Sequence, residues 1–220
     1  MNTDRLQQLV GVIPLLAWYG WSLLMQAPVF FDMLAQLQAS QLEGFLVLRA
    51  IAQAASILFT SFLVLLVLFR DKTLFQGRHT RSYVAAIIGT CAASSFLLLP
   101  SANISPLLYA IATLFVIVGF GLSIYALIYF GRSFAILPSA RALVTDGPYR
   151  FVRHPLYLFE DIAIMGIMLQ FVQPWALLIS IAHFAAQLAR MRYEEQALAQ
   201  AFPEYAAYAT RTARLIPRVY

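Results

Sequence analysis

Apolar residues in this chain come in long runs separated by short polar stretches. Six runs stand out, at roughly 7–30, 44–69, 82–100, 105–130, 156–172 and 175–190. A bilayer core of roughly 30 Å takes about 20 apolar residues in a helix. Backbone in lipid must satisfy its own hydrogen bonds, so each run predicts a membrane-spanning α-helix. The second and fourth runs are long enough to tilt or project. The fifth is short, and only Gln173-Pro174 separates it from the sixth, which predicts a tight helical hairpin with Pro174 in its turn. Pro100 and Pro106 bracket the turn between the third and fourth runs. The predicted fold class is all-α: a polytopic membrane protein of about six transmembrane helices, forming one domain over 1–220.

Basic residues orient these spans. Arg5 precedes the first; Arg70, Lys72, Arg78 and Arg81 lie between the second and third. Arg132, Arg141, Arg150 and Arg153 lie between the fourth and fifth, and Arg190, Arg192, Arg211, Arg214 and Arg218 follow the sixth. The alternate connections, at about 31–43, 101–104 and 171–174, carry none. Fourteen of the 15 basic residues therefore fall on one side, and Arg49 is the exception. The positive-inside rule makes that side cytoplasmic and puts both termini there. The expected location is a bacterial inner membrane, with the active site on its cytoplasmic face.

Composition agrees: 61% of residues are hydrophobic and 11% charged, against about 25% charged in soluble domains. The net charge of +5 then reports topology and contact with anionic lipid, not nucleic acid. The start, Met-Asn-Thr-Asp-Arg, is not strongly basic and no small-residue cleavage site follows, so the first run is expected to remain as an anchor. Cys91 is the sole cysteine, which excludes intrachain disulfides and cysteine-based metal sites. No internal repeat supports an inverted-repeat transporter.

Candidate chemistry sits in two polar clusters on the cytoplasmic side. The first, Val144-Thr-Asp-Gly-Pro-Tyr-Arg-Phe-Val-Arg-His-Pro-Leu-Tyr157, runs into the fifth span. Gly147-Pro148 is a turn signal. Pro155 suits the first turn of a helix, which puts Arg153 and His154 at a helix N-terminus beside unpaired N–H groups, a place that favours an anion. Arginine adds planar recognition of carboxylates. The second cluster, Arg190-Met-Arg-Tyr-Glu-Glu195, is helical, and Arg190 and Glu194 can meet at i,i+4. Its carboxylates suit an ammonium group or ribose hydroxyls. Phe202-Pro203 ends that helix, and the tail through Tyr205, Tyr208 and Leu215-Ile216-Pro217 can fold back as a lid.

The string Gly131-Arg-Ser-Phe, followed by Leu143 through Tyr157, resembles the signature of the isoprenylcysteine carboxyl methyltransferase family, shared by phospholipid N-methyltransferases and membrane thiol methyltransferases. The tail pattern Glu194-Glu195-x-x-Leu198, Phe202-x-Glu204-Tyr205-x-x-Tyr208 and Arg214-Leu215-Ile216-Pro217 is similar to that family's C-terminus. The resemblance covers residues 115–220, the methyltransferase-like core; residues 1–114 carry no assignable motif. It implies an S-adenosylmethionine-dependent methyltransferase whose C-terminal hairpin and tail form the cofactor site. Tyr149, Arg153, His154, Pro155, Tyr157, Glu194 and Glu195 are the implied cofactor residues, and Arg190 and Glu195 the catalytic candidates. The implied partners are the bilayer and a lipophilic small molecule or lipidated substrate bearing a carboxylate, amine or thiol. The sequence does not set an oligomeric state.

Other readings compete for the same residues. His154 also suits a helix cap, Glu194 and Glu195 a solvated helix face, and His183 a hydrogen-bonded structural histidine. Arg141 and Arg150 suit lipid headgroups, Arg49 snorkelling at the outer interface, and Gly119 and Gly121 helix packing. One departure stands out: many relatives have a small residue near position 159 or 160, whereas Phe159, Glu160 and Asp161 follow here. Glu160 and Asp161 are the candidate substrate residues, suited to a cationic or protonatable acceptor. For the whole protein, the alternatives are an NADPH-dependent membrane reductase of related fold and a non-enzymatic membrane scaffold or transporter.

Overall fold

The computed structural model describes residues 13–39, 44–69, 75–76, 80–133 and 139–217. Arg5, Arg70, Lys72, Arg78 and Arg218, which contribute to the predicted orientation, lie outside the described residues. The helices are α1 (Ile13–Ala39), α2 (Gly44–Leu68), α3 (Thr80–Ser95), α4 (Pro106–Phe130), α5 (Pro155–Leu169), α6 (Trp175–Ala201) and α7 (Tyr205–Arg211). A 3-10 turn, Phe96–Leu98, continues α3. Strands β1 (Phe75–Gln76) and β2 (Ser139–Ala140) form a two-residue antiparallel ladder. The all-α expectation holds.

Local signals set several of the ends. Pro106 opens α4, and the Ser105 hydroxyl accepts from the Leu108 N–H at 3.3 Å. Pro155 opens α5, as its missing N–H allows. The hairpin between α5 and α6 turns at Pro174, where the Gln173 side chain accepts from the Leu177 N–H at 3.1 Å. Two helices outrun their apolar runs. α1 continues through Pro28 to Ala39 instead of ending near 30. α6 continues past Arg190 to Ala201, because Arg-Met-Arg-Tyr-Glu-Glu-Gln-Ala-Leu-Ala-Gln consists largely of strong helix formers. Helix propensity, not hydropathy, decides those ends.

Two helices, α2 and α4, are long and apolar enough by length and composition to cross a membrane, each 25 residues, with mean hydropathy 2.3 and 2.4. Val84–Leu98 is a shorter apolar helix. Large apolar side chains, among them Leu24, Leu58, Leu107 and Ile128, stand exposed on α1, α2 and α4. Exposed apolar side chains in such number suit contact with lipid.

The bundle is centred on α4, which packs most extensively against α5 and also against α2, while α3 packs on α6 and α1 on α2. Small residues permit the α4–α5 approach. A Cβ on Gly119 would collide with the backbone of Ala163, and one on Gly166 with the Ala112 carbonyl. Gly119 thus serves helix packing, whereas a Cβ on Gly121 would meet nothing. Phe59 of α2 stacks on Phe120 of α4, with centroids 5.0 Å apart, in the main core.

Candidate functional site

The segment before α5 is shaped by its turn. Gly147 has φ +58°, a left-handed conformation that glycine adopts without cost, and a Cβ there would strike the Tyr129 ring. Pro148 follows in the 3-10 turn Gly147–Arg150, which buries Tyr149 against Phe130 at 5.3 Å between centroids. The tail then clasps this segment. The Tyr208 hydroxyl donates to the Tyr149 carbonyl at 2.6 Å. Val152 and Ala213 form a parallel bridge. The N–H groups of Arg153 and His154 donate to the carbonyls of Ala213 and Arg214, at 2.8 and 3.1 Å. These two N–H groups precede the helix and are taken by the tail, apart from the first N–H groups of α5 itself. The tail returns in extended form beside them and takes both bonds.

Glu195 holds the ends together. Arg214 grips it as a fork, Nε to Oε1 at 3.0 Å and Nη2 to Oε2 at 2.6 Å. His154 Nε2 lies 3.1 Å from Oε1 and Arg153 Nε 3.2 Å from the same oxygen. Burial pushes the Glu195 carboxyl up, but the hydrogen bonds from His154 and Arg214 and the charges of His154 and Arg153 outweigh it and hold it at about 2. Burial also raises the Tyr208 hydroxyl to about 12 and lifts that of Tyr205 further, so both remain protonated at neutral pH. Beside this cluster, the Tyr157 hydroxyl donates to Glu194.

A second network lies deeper, on one face of α6. His183, Gln187, Arg190 and Glu194 follow each other at steps of four, three and four, a helical stripe. Gln187 is fully buried. Its amide nitrogen donates to Glu160 Oε2 at 2.6 Å and lies 3.3 Å from His183 Nε2, and its oxygen accepts from Arg190 at 3.2 Å. His183 Nδ1 is 3.0 Å from the Gly89 carbonyl, and its Nε2 is 3.6 Å from Asp161. The carbonyl requires a proton on Nδ1, which leaves Nε2 of the neutral ring to accept from Gln187. The Arg190 guanidinium lies over the Tyr157 ring, 5.0 Å from its centroid.

Both networks border one cavity of about 420 Å³. Of the residues singled out in the sequence, Tyr149, Arg153, His154, Tyr157, Glu160, Arg190 and Glu194 line it. Glu195, Asp161 and Pro155 do not: Glu195 stands behind Arg153 and His154, Asp161 faces His183, and Pro155 is fully buried at the start of α5. Arg141, expected among lipid headgroups, is buried, and Arg150 packs on Phe151 at 4.7 Å. The sequence reading missed Arg214 and Gln187 as anchors. Gln187 was legible as a member of the α6 stripe. It also missed the N-terminal helices, whose Tyr19, Ser22, Gln26, Gln53, Ser56 and Thr60 line the same cavity.

Residues 102–205 match the phospholipid methyltransferase family. That segment belongs to the family. It runs from just before α4 into the first residue of α7, and so contains both halves of the site except the tail strand with Arg214. Among curated proteins, the chain is similar to the cobalt-zinc-cadmium resistance protein CzcN of Cupriavidus metallidurans, 42% identical over 79 residues, which are 35% of this chain and 36% of that protein. It is also similar to the nickel-cobalt-cadmium resistance protein NccN of Alcaligenes xylosoxydans xylosoxydans, 37% identical over 79 residues, 35% of this chain and 37% of that one. The matched part thus spans little more than a third of these relatives' length. The clustered side chains of the site lie inside the matched segment or, like Arg214, shortly after it.

Proposed function

We propose that the protein is an integral-membrane methyltransferase that uses S-adenosylmethionine to methylate a lipophilic acceptor reached from the bilayer. The observation that carries this reading is the cavity that both networks border. Its wall holds cationic Arg153 and Arg190, the Glu194 carboxylate and the Glu160 carboxylate, inside a segment of the methyltransferase family. The residues fit a zwitterionic nucleoside. Tyr149 and Tyr205 line the cavity with buried hydroxyls that make no hydrogen bond among the described residues. A bound polar molecule would satisfy them, and leaving such groups unmet is costly.

S-adenosylmethionine, when bound, supplies an electrophilic methyl group on a sulfonium. The protein's part is to bind and orient. Arg153 and His154 offer charge and hydrogen bonds to a carboxylate, and Glu194, steadied by Tyr157, offers an acceptor to an ammonium group or hydroxyls. Glu195 and Arg214 keep Arg153 and His154 in place from behind. Glu160, held by Gln187, faces the cavity on the acceptor side, where it can take the proton that an amine or thiol must lose; a carboxylate acceptor needs no such base. Methyl transfer is an in-line displacement, so this positioning supplies much of the rate. The expected topology is six spans with the site on the cytoplasmic face of a bacterial inner membrane.

Calorimetry on the purified protein tests the reading. S-adenosylmethionine and S-adenosylhomocysteine should bind, and NADPH should not. Binding of NADPH alone would favour a reductase; binding of none would leave a scaffold or transporter. Transfer of radiolabel from S-adenosylmethionine into a fractionated lipid extract then identifies the acceptor.

A further inference from the structure

The cavity does not end at the charged side chains of α5 and α6. It continues between α1 and α2, along α2 from Arg49 to Leu63, roughly 20 Å at 1.5 Å per residue. Within it lies a cluster of uncharged polar side chains from the two N-terminal helices. Gln26 Oε1 accepts from the Ser56 hydroxyl at 2.8 Å and from Gln53 Nε2 at 3.3 Å, and Gln26 Nε2 donates to the Ser22 hydroxyl at 3.0 Å. All four residues line the cavity. They stand near the middle of α1 and within α2, a helix apolar enough to span a membrane. Polar groups at that depth are costly unless they meet partners or face a polar cavity.

The cluster does not consume its own capacity. Gln53 Oε1 accepts no hydrogen bond among the described residues, and each glutamine keeps an N–H beyond its one donated bond. Gln53 Oε1 is not enclosed by protein, and both glutamines line the cavity. Two amides and two hydroxyls, with no carboxylate among them, recognise a neutral group that both donates and accepts. An anionic group would instead be drawn one turn along α2 to Arg49, whose guanidinium sits 5.8 Å over the Tyr109 ring.

We propose that Ser22, Gln26, Gln53 and Ser56 form a binding subsite for an uncharged, hydroxyl- or amide-bearing group of a membrane amphiphile lying in the cavity. The site belongs to α1 and α2, outside the segment 102–205 that matches the family. It rests on reading the cavity as the seat of a lipophilic acceptor, and it adds the chemical class that this end of the cavity selects.

Equilibrium binding of three radiolabelled probes to the full chain in detergent tests it: 1-oleoylglycerol, methyl oleate and oleate. The wild type should bind 1-oleoylglycerol about fivefold or more tighter than methyl oleate, as one or two net hydrogen bonds would give. Gln53→Leu and Gln26→Leu should each reduce that preference toward unity while leaving methyl oleate affinity unchanged. Equal binding of the two esters by the wild type overturns the proposal, as does a preference that survives in both variants, the result expected if the cluster only clasps α1 to α2. Oleate as the tightest probe overturns the neutral class in favour of Arg49. The wild-type comparison stands even where a variant does not fold. S-adenosylhomocysteine binding is measured on the same samples, and its absence in the wild type counts against the methyltransferase reading alone.

Discussion

His154 Nε2 lies 3.1 Å from Glu195 Oε1, joining the start of α5 to the far end of α6 across 41 residues of chain. The same carboxylate holds Arg214, so one side chain ties the hairpin to the tail. The two partners nevertheless differ in position: His154 lines the cavity and Glu195 does not.

That difference predicts different losses. His154→Ala should weaken S-adenosylhomocysteine binding by about one to two decades, on the order of 1.5–3 kcal/mol for a charge-assisted hydrogen bond, with a small change in melting temperature. Glu195→Ala strands Arg153, His154 and Arg214, so it should lower the melting temperature and expose the tail to limited proteolysis as well as weaken binding. Unchanged binding in both variants would remove this pair from the cofactor site.

Acid should release the tail. The Glu195 carboxyl is held at about 2 in the fold, against about 4.3 in an unfolded chain. A depressed folded value gives stabilisation that is complete above the unfolded value and lost as pH falls toward the folded one. Tail protection from protease should therefore decline between about pH 4.3 and about pH 2. In Glu195→Gln that particular pH dependence should be absent; an identical acid profile in the variant argues against the assignment.

The two acids of α5 should separate. Glu160 faces the cavity and Asp161 faces His183. Glu160→Gln should reduce turnover of the identified acceptor by about 10²-fold or more if the residue acts as a base, with little effect on S-adenosylhomocysteine affinity. Asp161→Asn should leave turnover within a few-fold of the wild type. Wild-type turnover in Glu160→Gln would show that the acid takes no proton in the reaction.

Helix contact between α4 and α5 leaves no room for a methyl group at Gly119. Gly119→Ala should destabilise the protein by about 1–3 kcal/mol, the usual cost of overpacking, and Gly121→Ala, which meets nothing, should not. Thermal melts of the two variants in the same detergent make the comparison.

Topology can be read by labelling in spheroplasts on a cysteine-free Cys91→Ser background. Gln76→Cys should react only after permeabilisation and Gln38→Cys from outside. The reverse pattern would place the Arg153–Glu195 cluster on the face opposite to a cytoplasmic cofactor.

Much of this was legible in the chain. Apolar run length and proline placement marked the helices and the α5–α6 hairpin, because lipid allows few other backbone solutions. The paired clusters at Arg153-His154 and Glu194-Glu195 were legible as groups that require partners, and the fold brings them together. What the chain alone left open was which groups face inward and which stand behind. Glu194 and Glu195 are neighbours in sequence, yet a helix turns successive side chains by about 100°, so one lines the cavity and the other braces Arg153, His154 and Arg214. Gln187 and Arg214 gained their roles only through contacts made across the fold. The polar residues of α1 and α2 have no motif of their own. They came to line the cavity only when α2 packed on α4 and α1 on α2, a long-range event that no local pattern encodes.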